Sequence, residues 1–397
     1  MVNVFIDASP LVDDRPSGIG HLVAATTIAL SKKIQADPNT RLVLLVPRKN
    51  SNRLARWPEL AHVKVKRFPF RTRILNGLIR YNLLPWMDIF FGKGVYIFGN
   101  FKNWPLTKFS RSITYIHDIS FILYPDFAEP RNLSLLAQKL PRFIKRTNRV
   151  ITISTASKNE IVKHYQLSPN DVDVVYCGVD TELYKPYQKT MLSTVRKKYG
   201  LKKEYLVYVG NIEPRKNLST LARALAQMPV EIKRQTDLLV IGGNGWHSEP
   251  IMEAFNAARK AGVSIVRPKT YVEDSDVAIL ISGSIALIQP SVHEGFSLPP
   301  IEAIAAGTVT VVSNIPVHKE ILGRSAVYFN PASPDDISKK IVDVITGAHV
   351  TNAVNRSKIA DMYSWDRAAD QLLEIVENLS SDRVKIGTTR ETRSLNE

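Results

Sequence analysis

Apolar residues in this chain gather in short runs, and between the runs they recur every three or four positions. In the first half the runs are "VNVFID" (2–7), "RLVLLV" (41–46), "HVKVK" (62–66), "GVYIF" (94–98), "SITYIH" (112–117) and "RVITI" (149–153). In the second half they are "YLVYV" (205–209), "DLLVIG" (237–242), "VSIVR" (263–267), "IALIQ" (285–289), "TVTVV" (308–312) and "AVYF" (326–329). Several are apolar at every position, the pattern of parallel strands covered on both faces. The pattern between runs is helical: Leu218, Leu221, Ala222 and Leu225 stand at i, i+3, i+4 and i+7. Two successive βα arrays predict two doubly wound α/β domains. Turn formers and charge interrupt the pattern at "GVDTELYKPYQKT" (178–190), so the domains are expected at 1–185 and 186–364. Residues 380–397 are polar and aperiodic and are expected to be a disordered tail.

Charge changes this picture more than composition does. The 397 residues carry a net charge of +16, and residues 1–185 hold 27 Lys and Arg against 14 Asp and Glu. The first domain therefore carries nearly all the excess, which predicts an anionic partner: a nucleic acid, a membrane surface or an acidic substrate. A single cysteine, Cys177, excludes an intrachain disulfide and a cysteine-rich zinc site. The start, "MVNVFIDASP", lacks the basic and apolar regions of a signal peptide, and no apolar run approaches the ~20 residues that span a bilayer. A cytoplasmic protein is expected.

Two turns carry candidate chemistry. In "SVHEGFSLPPIEAIAAG" (291–307), Glu294 and Glu302 flank a glycine-proline turn. The turn follows a buried strand and leads into a helix, with Pro299 and Pro300 suited to its first positions and Gly307 to its stop. Ligands of doubly wound sheets bind beyond the carboxyl ends of strands. Gly295 would let backbone approach a ligand, and free amides at the helix start favour a diphosphate. Glu302, placed in the first helical turn, could accept ribose hydroxyls, and Glu294 another part of the same ligand. Three other readings stay open. A glutamate near a helix start is favoured by the helix dipole alone, the spacing is common by chance, and a paired acid and base as in glycosidases fits too. The second turn, "YVGNIEPRKNLSTLARAL" (208–225), has the same strand–turn–helix layout, with Arg215 and Lys216 at the helix entrance. On its own such a pair reads as solvated surface charge.

Together the two turns resemble glycosyltransferase family 4, the retaining nucleotide-sugar-dependent enzymes of GT-B fold. The first is similar to the family's glutamate turn at Glu294, Gly295, Phe296, Ser297, Leu298, Pro299 and Glu302. The second, "GNIEPRKN", resembles its basic turn. Three further stretches resemble the family in order along the chain: "DASPLVDDRPSGIG" with Gly18 and Gly20 in the loop after the first strand, "YIHDISF" with His117, and "YSWDRAADQLLEIV" (363–376). One position departs: many members carry arginine after the glycine of the basic turn, where this chain has Asn211.

The resemblance implies two Rossmann-like domains facing a cleft, with the donor on the second. A late helix at about 365–379 would pack back on the first. Lys216 and Arg215 would neutralise the departing nucleoside diphosphate, with Arg215 supplying the charge missing at Asn211. Backbone amides near Phe296, Ser297 and Leu298 would bind phosphate or sugar oxygens. Glu294 would contact donor-sugar hydroxyls, Glu302 the ribose, and His117 would line the sugar site. Leaving-group stabilisation by fixed charge is the expected source of rate. No metal or cofactor is expected: "DVD" (171–173) and "DSD" (274–276) read as chance matches, and His293 and His318 lack zinc-ligand spacing.

Residues 64–86 hold Lys64, Lys66, Arg67, Arg71, Arg73 and Arg80 without an acid, interleaved with Phe68, Phe70, Ile74, Leu75, Ile79, Leu83 and Trp86. This reads equally as a peripheral element on the inner membrane face, meeting a lipid-linked acceptor, and as a core-packed helix with a basic face. The expected activity is transfer of a sugar, mannose from GDP-mannose being the donor closest to the resemblance, onto a lipid-linked or growing surface glycan. The alternatives are a UDP- or dTDP-sugar donor, a non-catalytic GT-B glycan-assembly protein, and a nucleic-acid binder, for which no recognition motif is present.

Overall fold

The strands form two sheets, each parallel throughout. The protein is described by a computed structural model that covers residues 1–13, 18–68, 74, 77–78, 83–348 and 356–391. The first sheet has the order β3-β2-β1-β4-β5-β6-β7. Its strands are β1 (Val2–Asp7), β2 (Thr40–Val46), β3 (Lys64–Arg67), β4 (Val95–Phe98), β5 (Arg111–Tyr115), β6 (Arg149–Thr152) and β7 (Val172–Val174). The second has the order β10-β9-β8-β11-β12-β13. Its strands are β8 (Glu204–Val209), β9 (Thr236–Ile241), β10 (Ser264–Val266), β11 (Ala286–Gln289), β12 (Val309–Ser313) and β13 (Val327–Phe329). Each sheet reverses its winding direction once, between β1 and β4 and between β8 and β11.

Burial on both faces explains the apolar runs. In β8, Leu206 and Tyr208 enter one core with Leu218, Leu221 and Leu225 of α3 (Leu218–Gln227). Tyr205 and Val207 enter a second core on the opposite face, with Val277 and Leu280 of α4 (Asp274–Ser282). In the first sheet, Phe5, Val43 and Phe98 pack with Phe68 and Trp104, whose rings meet edge to face at 4.6 Å. Helix α1 (Gly18–Gln35) and the short α2 (Asp88–Phe91) belong to the same unit. In the second, α5 (Leu298–Ala305) follows β11.

The chain divides into two units, one of residues 1–119, 134–178 and 365–397 and the other of 120–133 and 179–364. The crossing falls at Val179 rather than 186, and the backbone there is tied to the second unit by a bond from Val179 N–H to Tyr363 O at 2.8 Å. Segment 120–133 also belongs to the second unit, which no composition break in the sequence announces. Helix α6 (Trp365–Glu391) lies on α1 in the first unit, with Lys33 Nζ 2.8 Å from Asp370 Oδ1. It runs past residue 379 into the segment expected to be disordered. Extending an established helix is cheap once its nucleus is packed, and no proline interrupts 380–391.

The basic stretch 64–86 is only partly a solvated face. Lys66 Nζ donates to Phe91 O at 2.6 Å and Phe68 is buried in the core, so both serve the fold. Arg67 bonds Ser51 Oγ at 3.2 Å, and Lys64 is exposed. Arg71, Arg73 and Arg80 lie outside the described residues. Among those described, no helix is long and apolar enough to cross a membrane.

Candidate active site

The basic turn follows β8 and the glutamate turn follows β11, and these strands are neighbours where the second sheet reverses its winding. That is where a doubly wound sheet opens for a ligand. Asn217 joins the turns: its backbone is left-handed (φ 58°), and Nδ2 donates to Pro290 O at 3.0 Å and Pro331 O at 2.8 Å. Val292 N–H adds a bond to Arg215 O at 3.0 Å. Below the turn, Gly210 and Gly242 pack so closely that a Cβ on Gly242 would stand 1.9 Å from Gly210 O.

This scaffold brings Lys216, Arg215 and Glu294 into one ion cluster. Glu294 Oε1 accepts from Lys216 Nζ (2.7 Å), Ser291 Oγ (2.6 Å) and Gln289 Nε2 (3.0 Å). Its Oε2 accepts from Arg215 Nη1 (2.8 Å), which also reaches His293 O (2.8 Å). Arg215 Nη2 donates to Glu213 Oε1 at 2.9 Å. Burial alone would raise the Glu294 carboxyl, but Lys216 and Arg215 outweigh it and hold it well below its ordinary value. Two buried carboxylates and two cations balance, so the cluster carries no net charge. Glu213, Gln289 and Ser291 were not singled out from sequence. Gln289, a polar residue ending a buried apolar strand, was the available signal.

Glu302 stands apart from that cluster. Helix α5 begins at Leu298, so Glu302 is in its second turn, not the first, and the helix dipole does not account for it. Burial pushes its carboxyl up to about 8, against a hydrogen bond with Tyr184 and with the Asp274 carboxylate adding to the rise. The left-handed residue of the turn is Ser297 (φ 77°), not Gly295, and Ser297 Oγ is buried without a hydrogen-bond partner among the described residues. Phe296 is buried edge-on against Tyr363 at 5.6 Å. Gly307 closes the helix with φ 82°. Asn211 is exposed, and its backbone oxygen accepts the Tyr208 hydroxyl at 2.9 Å.

His318 is fully buried close to this site. Its Nδ1–H donates to Ser313 O at 2.9 Å, and burial lowers its pKa to about 4, so it is neutral. The Tyr124 ring, from segment 120–133, lies 5.3 Å from His293. Both Asp-X-Asp matches are in ion pairs: Asp173 with Arg149 at 3.0 Å and Asp276 with Lys198 at 2.6 Å.

In the first unit, His117 follows β5 and is buried between Phe101 and Tyr115. Its Nε2 lies 2.9 Å from Gly99 O, which can only accept, so Nε2 carries the proton and Nδ1 is a bare acceptor. Burial lowers its pKa and keeps the ring neutral. Gly18 and Gly20 lie in the first turn of α1, not in the preceding loop; Gly18 is exposed and Gly20 buried.

Two family models match successive parts of the chain. "Glycosyltransferase Family 4" covers residues 38–183 and "Glycosyl transferases group 1" covers 193–360. The chain is 24% identical over 269 residues to O-antigen chain mannosyltransferase B of Escherichia coli, spanning 67% of this chain and 70% of that protein. It is 28% identical over 266 residues to O-antigen chain mannosyltransferase RfbU of Salmonella typhimurium, spanning 66% and 69%. Among solved structures it resembles Anabaena HepE in complex with UDP-glucose, with a TM-score of 0.68, 19% identity, and coverage of 96% of this chain and 100% of that one. The sheets, the paired turns and these matches agree: the chain belongs to glycosyltransferase family 4 and is a glycosyltransferase of GT-B fold.

Proposed function

We propose that the enzyme transfers mannose from GDP-mannose, with retention, to a lipid-linked or growing surface glycan at the inner membrane face. The observation that carries the donor site is the single cluster of Lys216, Arg215 and Glu294 at the winding switch of the second sheet. The diphosphate competes with Glu294 for Lys216 and Arg215. As the glycosidic C–O bond breaks, charge grows on the leaving phosphate, and these cations stabilise it where it forms. Glu294, released from part of the cluster, accepts from donor-sugar hydroxyls. Ser297 Oγ and the backbone amides of Ser297 and Leu298 offer donors to phosphate oxygens, Pro299 and Pro300 having no N–H to give. Glu302 takes the ribose hydroxyls, and the Nδ1 of His117 accepts from the sugar. No step calls for a metal ion.

The mannose assignment is supported by the names of the two O-antigen relatives. The UDP-glucose bound by HepE favours a UDP-sugar as the second reading. Melting temperature with GDP, UDP, dTDP and ADP, each with and without magnesium, separates them, since a ligand of the folded state must raise it. Metal-independent stabilisation by GDP is expected. Stabilisation by UDP alone replaces the donor, and stabilisation by none of the four, with no transfer from any sugar nucleotide, leaves a non-catalytic assembly protein.

A further inference from the structure

Among the large apolar side chains exposed in the first unit, five fall between residues 83 and 109: Leu83 (67% exposed), Trp86 (57%), Ile89 (65%), Phe90 (46%) and Phe109 (48%). Four belong to α2 and the chain leading into it. The same stretch turns Met87 and Phe91 inward onto Phe68 and Trp104, so α2 is anchored by one face and exposes Ile89 and Phe90 on the other. Phe109 comes from a different loop, and Asp88 explains its position. The buried Asp88 carboxylate takes the Thr107 amide (3.0 Å), the Thr107 hydroxyl (2.5 Å) and the Ser110 hydroxyl (2.7 Å). Met87 N–H donates to Pro105 O at 2.9 Å. These bonds staple loop 107–110 to the start of α2, so Phe109 and the α2 side chains share one surface.

The rim of that surface is cationic. Lys93 Nζ lies 4.5 Å and Lys108 Nζ 5.5 Å from the centre of the Phe109 ring. From 83 to 111 the bases are Lys93, Lys102, Lys108 and Arg111, and the sole acid is Asp88, which is buried. Clustered exposed apolar side chains mark an interaction site. Tryptophan and aliphatic tips in a stretch with four bases, whose sole carboxylate is buried, match the headgroup boundary of an anionic bilayer better than they match a protein surface.

We propose that α2 and loop 107–110 form a membrane-insertion face that seats Trp86, Ile89, Phe90 and Phe109 in the headgroup boundary of an anionic phospholipid bilayer. The face deepens the membrane-side location given above but uses neither the donor nor the acceptor assignment. It also moves the contact from the basic start of the stretch 64–86, where Lys66 and Phe68 are engaged by the fold, to the apolar end of that stretch and the helix after it.

Flotation of the full chain with mixed phosphatidylglycerol–phosphatidylcholine vesicles, against phosphatidylcholine alone, tests this. The chain is expected to float with the anionic vesicles. The paired substitution Ile89→Glu, Phe90→Glu should lower vesicle affinity by about tenfold or more. Lys93→Glu with Lys108→Glu should lower it too and flatten its salt dependence. All four side chains are exposed, so both variants should keep the parent melting temperature. The proposal is overturned if the parent does not float. It also falls if Ile89→Glu, Phe90→Glu binds like the parent, or if Lys64→Glu with Arg67→Glu alone abolishes binding. A dimer dissolved by Ile89→Glu, Phe90→Glu, with no vesicle binding, would assign the face to a second copy and equally overturn it. The nucleotide-induced melting shift, read on the same samples, reports on the donor reading separately.

Discussion

Glu294 and Glu302 flank one turn, and their carboxyl pKa values are shifted in opposite directions. Glu302 keeps its proton to about pH 8 in the folded state, whereas an unfolded glutamate loses it near 4.5. Between those values the folded state holds a proton that the unfolded state lacks, so this group lowers stability as pH rises, by up to about 1.4 kcal/mol per unit. Glu302→Gln should therefore flatten part of the fall in urea-unfolding free energy between pH 5 and 8. If the ionised carboxylate accepts the ribose hydroxyls, nucleotide binding below pH 8 releases a proton and strengthens as pH rises, which calorimetry in buffers of different ionisation heat would detect. Glu294 acts the other way: its stabilisation is present above its unfolded value and is lost in acid. Lys216→Ala removes one of two cations balancing two buried carboxylates. It should lower kcat by about 10²–10³-fold and abolish the nucleotide-induced melting shift. The sequence displayed which residues to examine but not their pairing, because Lys216 and Glu294 are 78 positions apart and meet only through strand order. It also concealed the protonation of Glu302, which Tyr184 and Asp274 help set from other segments.

At the scale of elements, the turn after β8 depends on Asn217. Its left-handed backbone costs a residue with a Cβ about 1 kcal/mol or more, and its two side-chain bonds recover stability across the site. Asn217→Gly relieves the backbone but loses the bonds, whereas Asn217→Ala loses the bonds and keeps the strain. Urea unfolding should place Ala below Gly by about 1 kcal/mol, and both below the parent. The strands were legible because burial on both faces leaves apolar runs, as in β8 and β11. The start of helix α5 was legible because proline suits a first turn, and only the one-residue difference at Leu298 moves Glu302 into the second turn. The glycines after β1 were taken for a loop, whereas Gly18 and Gly20 open α1, where neighbouring packing overrides weak helix propensity.

For the whole molecule, the alternation of strand and helix conveyed two doubly wound units. The return of α6 to the first unit was foreseeable only by resemblance, since nothing in its amphipathic pattern names a partner. Ala369, Leu372 and Val376 are buried there, and Leu372 and Val376 alone represent about 1.5–3 kcal/mol each of burial. Deleting residues from Trp365 onward should leave residues 1–178 susceptible to limited proteolysis at concentrations the intact chain withstands. An unchanged cleavage pattern would mean that α6 adds nothing to that unit.

The position of α6 also sets an order of events during synthesis. The first unit is emitted early by the ribosome, yet its closing helix arrives only after all of 179–364 has been made. At about 5–20 residues per second, that interval lasts on the order of ten seconds or more. Throughout it the surface of α1 that receives α6 is uncovered, and by its end the second unit has every segment it needs. The unit translated first is therefore finished last, and its unfinished state is the period in which a chaperone has something to hold.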